Sequence, residues 1–277
     1  MRKKCFCLFV FIHLVFSVFA QKVPYGNNPA TGNYFNHQGV KLYYEVYGKG
    51  SPKKTPILML HGGVYGYINE FEFLIPKLAE KHQVICLATR GHGKSEIGNE
   101  PFTFEQRAGD AYALIQHLQL DSTIILGFSD GGSTALKLAA LYPHVVKKAI
   151  AMGVGDVPKG SRKDTFHYSA KQLLKDSKEY FEGRLKLMPE PDRWDESLQM
   201  LSKLYNEEYL SSETFEKIKC PVLLMNGEYD EYQTLDALMQ CYKSIPNAHL
   251  SVIPMCGHVI FYCNFQAVWE SMKRFIE

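Results

Sequence analysis

STIILG (122–127) is a continuous apolar run that passes directly into Gly127-Phe128-Ser129-Asp130-Gly131-Gly132 and then into GGSTALKLAALYP (131–143), whose apolar residues recur at helical spacing. Strand, sharp turn and helix in immediate succession place Ser129 in a strained backbone conformation that only small neighbours, Gly127 and Gly131, permit. Its hydroxyl then projects above the edge of a sheet. The helix N-terminus behind it supplies partial positive charge where an oxyanion would form. The plainer alternative is a glycine-rich turn carrying an exposed serine.

The same pattern extends in both directions. PILMLHGG (56–63), QVICLA (83–88), VKKAIAMG (146–153) and PVLLMNG (221–227) are further continuous apolar runs, while VKLYYEVYG (40–48) alternates. Unbroken runs belong to strands covered on both faces. Helical spacing fills the gaps at FEFLIPKLAEKH (71–82), TFEQRAGDAYALIQHLQL (103–120) and NFQAVWESMKRFIE (264–277). Such alternation predicts right-handed crossovers and a mostly parallel, doubly wound α/β sheet. It breaks between about Asp156 and Lys219, a stretch rich in Lys, Glu, Ser and Tyr, where 169–188 and 192–210 are spaced as helices. That stretch predicts a helical insertion over the carboxyl edge of the sheet. The expected organisation is a signal segment at 1–20, core at 21–155, a helical cap at 156–218 and core again at 219–277.

Of the 277 residues, 46% are hydrophobic and 22% charged, which excludes disordered, collagenous and multi-span membrane classes. A chain this long buries roughly three quarters of its extended surface and needs no disulfide framework or structural metal to fold. Arg2, Lys3 and Lys4 precede the apolar run CFCLFVFIHLVFSVFA (5–20), which is followed by a polar stretch. This is the form of a secretory signal, with Val18 and Ala20 at the small-residue positions before the cut, so cleavage is expected after Ala20. An uncleaved anchor is the alternative, and the run is short of the roughly 20 residues a bilayer span requires. The expectation is an exported protein, periplasmic or secreted, off the membrane once cleaved. The mature chain is near neutral and has no basic stripe, so no nucleic-acid partner is expected. Five cysteines remain, none at zinc spacing; Cys86 lies within an apolar strand, and an exported chain permits a bridge such as Cys256 to Cys263.

A serine hydroxyl is a weak nucleophile at neutral pH and needs a base, which in turn needs an acid to orient it. Glu228-Tyr229-Asp230 follows the strand PVLLMNG, and Met255-Cys256-Gly257-His258 follows HLSVIP (249–254). Ser129, Asp230 and His258 therefore each stand just beyond a strand's carboxyl end. Asp230, three residues past Gly227, has room to turn back toward the histidine; Glu228 and Asp156 are the other carboxylates in reach. His61-Gly62-Gly63-Val64 follows PILML, where glycine leaves the backbone free to turn an N–H toward a carbonyl oxygen. Gly63 and Asp130 N–H are the expected oxyanion hole, with Val64 able to replace Gly63. His61 reads as a structural hydrogen-bonding residue. Ala88–Ser95 fits a relaxed phosphate-loop pattern, but the Gly and Pro that follow disfavour the helix such a loop opens.

Taken together, GVKLYYEVYGKG, the HGG loop, TRGHGKS, GFSDGG, NGEYD and CGH resemble the α/β-hydrolase superfamily in order and spacing, from about Gly39 to the C-terminus. Thr89 departs from the pattern, since most relatives have Asp before the Arg-Gly. The resemblance implies the α/β-hydrolase fold, a catalytic triad of Ser129, Asp230 and His258, and a cap that shapes the acyl pocket. The GFSDGG elbow and the short helical cap with Trp194 look most like the biphenyl-hydrolase-like proteins, which cleave esters of α-amino acids. The Asp130 side chain, directly after the nucleophile, would on that reading pair with a substrate ammonium, Val64 lining the same pocket; the alternative is that Asp130 caps the helix or bonds within the protein.

The expected activity is hydrolysis of a small-molecule carboxylic ester through an acyl-enzyme, with no cofactor or metal. An aminopeptidase of the proline-iminopeptidase kind, a lactonase, a C–C bond hydrolase and a non-catalytic ligand-binding protein share these motifs.

Overall fold

Unbroken apolar strands need cover on both faces, and the computed structural model, which describes residues 23–51, 53–156 and 165–277, shows how they obtain it. Eight strands form one sheet: β1 (Gly32–His37), β2 (Val40–Tyr47), β3 (Ile57–Leu60), β4 (Val84–Leu87), β5 (Thr123–Phe128), β6 (Val146–Met152), β7 (Val222–Gly227) and β8 (Ala248–Ile253). Their order is β1-β2-β4-β3-β5-β6-β7-β8. β2 is antiparallel to both β1 and β4, and every other pairing is parallel.

The helices are α1 (Leu74–Ala79), α2 (Phe104–His117), α3 (Asp130–Leu141), α4 (Ala170–Asp176), α5 (Lys178–Leu185), α6 (Trp194–Glu207), α7 (Ser212–Phe215), α8 (Leu235–Ser244), α9 (Ile260–Cys263) and α10 (Phe265–Ile276). Successive strand residues point to opposite faces, and the core divides accordingly. Leu58, Leu60 and Ile125 join the apolar faces of α2 and α3. Ile57, Met59, Ile124 and Leu126 join α1 and α10 on the other side. The sheet is thus doubly wound, as its unbroken strands require.

Between β6 and β7 the chain makes α4 to α7, which share the α2/α3 core through Phe181, Trp194, Leu198 and Leu201. Polar contacts tie this helical insertion to the carboxyl edge: Glu190 accepts the Ile97 N–H at 2.7 Å, and Arg193 donates to the Gly98 carbonyl at 2.8 Å. The expected single helix at 169–188 is interrupted at Ser177, whose φ of −151° and ψ of 66° break the ladder between α4 and α5. β1, α7, α8 and α9 lie outside the expected elements. The signal segment at 1–20 and the start of the cap at 157–164 lie outside the described residues. Among the described residues no helix is long and apolar enough to cross a membrane.

Candidate active site

Register brings the ends of β3, β5 and β6 to one edge, with Leu60 opposite Gly127 and Gly127 opposite Ala151. Ser129 leaves β5 with φ 53° and ψ −114°, well outside the regions a serine ordinarily takes. Two glycines make that possible. A Cβ on Gly127 would come within 2.0 Å of the Gly131 carbonyl oxygen, and one on Gly131 within 2.0 Å of the Leu60 oxygen. The Ser129 N–H is anchored to the Met152 carbonyl at 2.7 Å, so the strain is held from the neighbouring strand.

His258 and Asp230 arrive from the loops beyond β8 and β7. Ser129 Oγ lies 2.9 Å from His258 Nε2, and His258 Nδ1 lies 3.0 and 2.9 Å from the two Asp230 oxygens. A ring flanked in this way donates its Nδ1–H to the carboxylate and accepts the serine hydroxyl at Nε2. Asp230 Oδ1 also accepts the Tyr232 and Gln233 N–H groups, both at 2.9 Å, which fixes the carboxylate against the ring. The imidazole rests against Phe128 and Tyr232, each 4.9 Å away between ring centres. A bridge between Cys256 and Cys263, with Cα atoms 5.8 Å apart, encloses the histidine in a short loop. The other two candidate acids have different work. Glu228 accepts the Met255 N–H at 2.9 Å, and Asp156, whose carboxyl burial raises above its ordinary range, makes no bond to His258 among the described residues.

Ser129 and His258 open onto a cavity of about 650 Å³ lined also by Gly63, Val64, Glu70, Asp130 and the rings of Tyr65, Phe128, Tyr180, Tyr232 and Tyr262. Among the described residues, the N–H groups of Gly63, Val64 and Asp130 have no hydrogen-bond partner. Orphaned donors beside a cavity are uncommon in folded proteins. Gly62 N–H, one position earlier, is taken by Glu70 Oε1 at 2.5 Å. His61 is structural: its Nδ1 lies 2.6 Å from the Gly62 oxygen and its Nε2 accepts the Thr89 N–H at 3.0 Å. Burial lowers its pKa to about 3, so it stays neutral. The phosphate-loop-like stretch makes a turn, in which Ser95 Oγ donates to the Ala88 oxygen and accepts the Tyr43 N–H, while Arg90 is clasped by Asp110 through two bonds of 2.8 Å.

Of the two readings of the Asp130 carboxylate, the contacts favour bonding within the protein. The carboxylate is not a free charge awaiting an ammonium: Oδ1 lies 3.2 Å from Arg107 Nη1, both side chains being 1% exposed, and Tyr205 donates to Oδ2 at 2.6 Å. Burial and the neighbouring carboxylate hold the Tyr205 proton on. Arg107, Tyr205, Glu70 and Arg184 escaped the sequence reading. Only Arg107 left a trace, because it occupies the apolar stripe of α2 with Phe104, Ala108 and Ala111, where a charge requires a buried partner. Among the described residues no group of three or more His, Cys, Asp or Glu could hold a metal ion.

A model of the alpha/beta hydrolase fold family matches residues 55–188. The chain is 28% identical over 258 residues to an AB hydrolase superfamily protein, YisY, of Bacillus subtilis, covering 83% of this chain and 94% of that one. It is 29% identical over 211 residues to the serine hydrolase BPHL of Mus musculus, with 69% and 68% covered. Among solved structures, an esterase from Exiguobacterium antarcticum superimposes with a TM-score of 0.70 at 25% identity, over 88% of this chain and 99% of that one. With sheet order, elbow turn and relatives in agreement, the chain belongs to the α/β-hydrolase superfamily and is a hydrolase.

Proposed function

We propose that this hydrolase cleaves small-molecule carboxylic esters through an acyl-enzyme on Ser129. The reading is carried by the hydrogen-bonded chain from Asp230 through His258 to the Ser129 hydroxyl, at the floor of a cavity of ligand size. His258 Nε2 takes the hydroxyl proton as Oγ bonds to the ester carbon, and the carbonyl electrons move onto oxygen. The N–H groups of Asp130 and of Gly63 or Val64 are the donors for that oxyanion. Collapse expels the alcohol, which leaves with the proton from His258. Water then gives a proton to His258 and attacks the acyl carbon; the proton returns to Ser129 as the acid departs. Asp230 holds the imidazole tautomer and steadies the imidazolium.

Aromatic walls suit an apolar or aromatic acyl group. Because the Asp130 charge already has Arg107 and Tyr205, simple acyl esters fit this pocket better than α-aminoacyl esters. Ser129→Ala is expected to abolish labelling by a fluorophosphonate probe and to lower kcat/KM on p-nitrophenyl butyrate by at least about 10⁴-fold. Retained ester hydrolysis in that variant, or a wild-type protein that takes no label, would remove the proposal.

A further inference from the structure

Val64 has φ 37°, in the left-handed region that β-branched residues avoid. The turn around it is tight, with the Gly66 N–H donating to the Gly63 oxygen at 2.7 Å. This is the turn whose Gly63 and Val64 N–H groups are unpaired beside the cavity. A backbone in such a conformation persists only where its surroundings over-determine it.

Two elements grip it. On the core side Glu70 holds the Gly62 N–H. On the other side the grip comes from the helical insertion, 118 residues further along the chain. Arg184 on α5 donates through Nη1 to the Tyr65 oxygen at 3.1 Å and through Nη2 to the Gly66 oxygen at 2.7 Å. Tyr180, one helical turn earlier, donates to the same Tyr65 oxygen and accepts from Arg184 Nη1 at 2.9 Å. The guanidinium plane is steadied over the Tyr67 ring, 4.6 Å from its centre. A planar fork that binds two successive carbonyls fixes both peptide planes at once, which a single ammonium cannot do.

We propose that Arg184 is a positioning residue for the oxyanion turn, so that seating of α5 on the core sets the Gly63 and Val64 N–H donors for catalysis. The inference rests on the ester-hydrolase reading above. Arg184 acts through the turn, two to four peptide units from the donors, and an interaction of this kind is realised in the transition state more than in the bound ester. Its loss therefore falls on kcat. A misplaced hydrogen-bond donor of this type costs one to two orders of magnitude in rate.

The test uses the full-length protein and p-nitrophenyl butyrate, with a trifluoromethyl ketone as an oxyanion-forming inhibitor. For Arg184→Ala, kcat is expected to fall by about 10- to 100-fold with KM within about 3-fold of wild type, and the inhibitor to weaken by about the same factor as kcat/KM. Arg184→Lys should recover part of the loss. A rise in KM at unchanged kcat would make Arg184 a substrate-binding residue and overturn the proposal, as would unaltered kinetics in a folded variant. Should Arg184→Ala not fold, Tyr180→Phe removes one donor from the Tyr65 carbonyl; about 3-fold lower kcat at constant KM is expected, and no change in kcat overturns the idea. Fluorophosphonate labelling of the wild type keeps the two readings apart: absent labelling defeats the ester-hydrolase mechanism, whereas normal labelling with an indifferent Arg184 defeats only the clamp.

Discussion

Burial pushes the Glu70 carboxyl up to about 8, although the Gly62 N–H and the charge of Arg184 pull it the other way. Asp130 adds to the rise, and Tyr262 also faces the group. The unfolded chain releases this proton near 4.5, so between about pH 4.5 and 8 the native state binds more protons than the unfolded one. Stability from this group therefore falls as pH rises through that window and levels off above it. Glu70→Gln keeps an oxygen for the Gly62 N–H and cannot ionise. Its stability relative to wild type, from urea denaturation, should rise by about 2 kcal/mol or more between pH 5 and 9. A difference that stays flat with pH would show that Glu70 is ionised throughout. His61, held neutral at a pKa of about 3, has the opposite sign: its contribution is lost as pH falls below about 6.5. That limb is common to both proteins and cancels in the difference.

At the scale of elements, the loop between β8 and α10, which carries His258, contains only the single turn of α9. Cys256–Cys263 closes it across a separation of 7 residues. Loop closure of that length stabilises the folded chain by about 2 kcal/mol. The double variant Cys256→Ser/Cys263→Ser should be less stable by about that amount and indifferent to dithiothreitol, while the reduced wild type should match it. Wild-type stability unmoved by reduction would show that the bridge contributes nothing. The other cysteines among the described residues, Cys86, Cys220 and Cys241, are buried thiols whose pKa burial raises, which makes them unreactive. Elements were legible in proportion to how strongly burial patterned them. β5 and β7 are buried at every position and stood out; β1, an edge strand buried only at Phe35, carries no such run. The α4/α5 break was hidden because Ser177 interrupts the backbone without interrupting the apolar spacing.

The whole molecule meets at Asp130. The residue heads α3, its carboxylate pairs with Arg107 of α2, and Tyr205 of α6 reaches it from the insertion. Among the described residues Arg107 has this one ion pair, with the Phe102 ring 5.2 Å away. Removing the anion leaves a buried guanidinium uncompensated, so Asp130→Asn is expected to cost about 3–5 kcal/mol in chemical denaturation. It should lower kcat/KM on aminoacyl and simple acyl esters by equal factors. A loss confined to aminoacyl esters would restore the ammonium reading of this side chain.

What the chain determined by itself is the sheet, the elbow and the three residues beyond the strand ends. Apolar runs, glycines and strand order are local or nearest-neighbour features, and local sterics dictate them. Tertiary structure alone decided that the Asp130 carboxylate is paired with Arg107 and that Arg184 of the helical insertion holds the turn at Tyr65 and Gly66. Both depend on side chains distant in sequence meeting across the fold, where an opposite charge at 3.2 Å, or two carbonyls at 3.1 and 2.7 Å, outweighs any preference written along the chain.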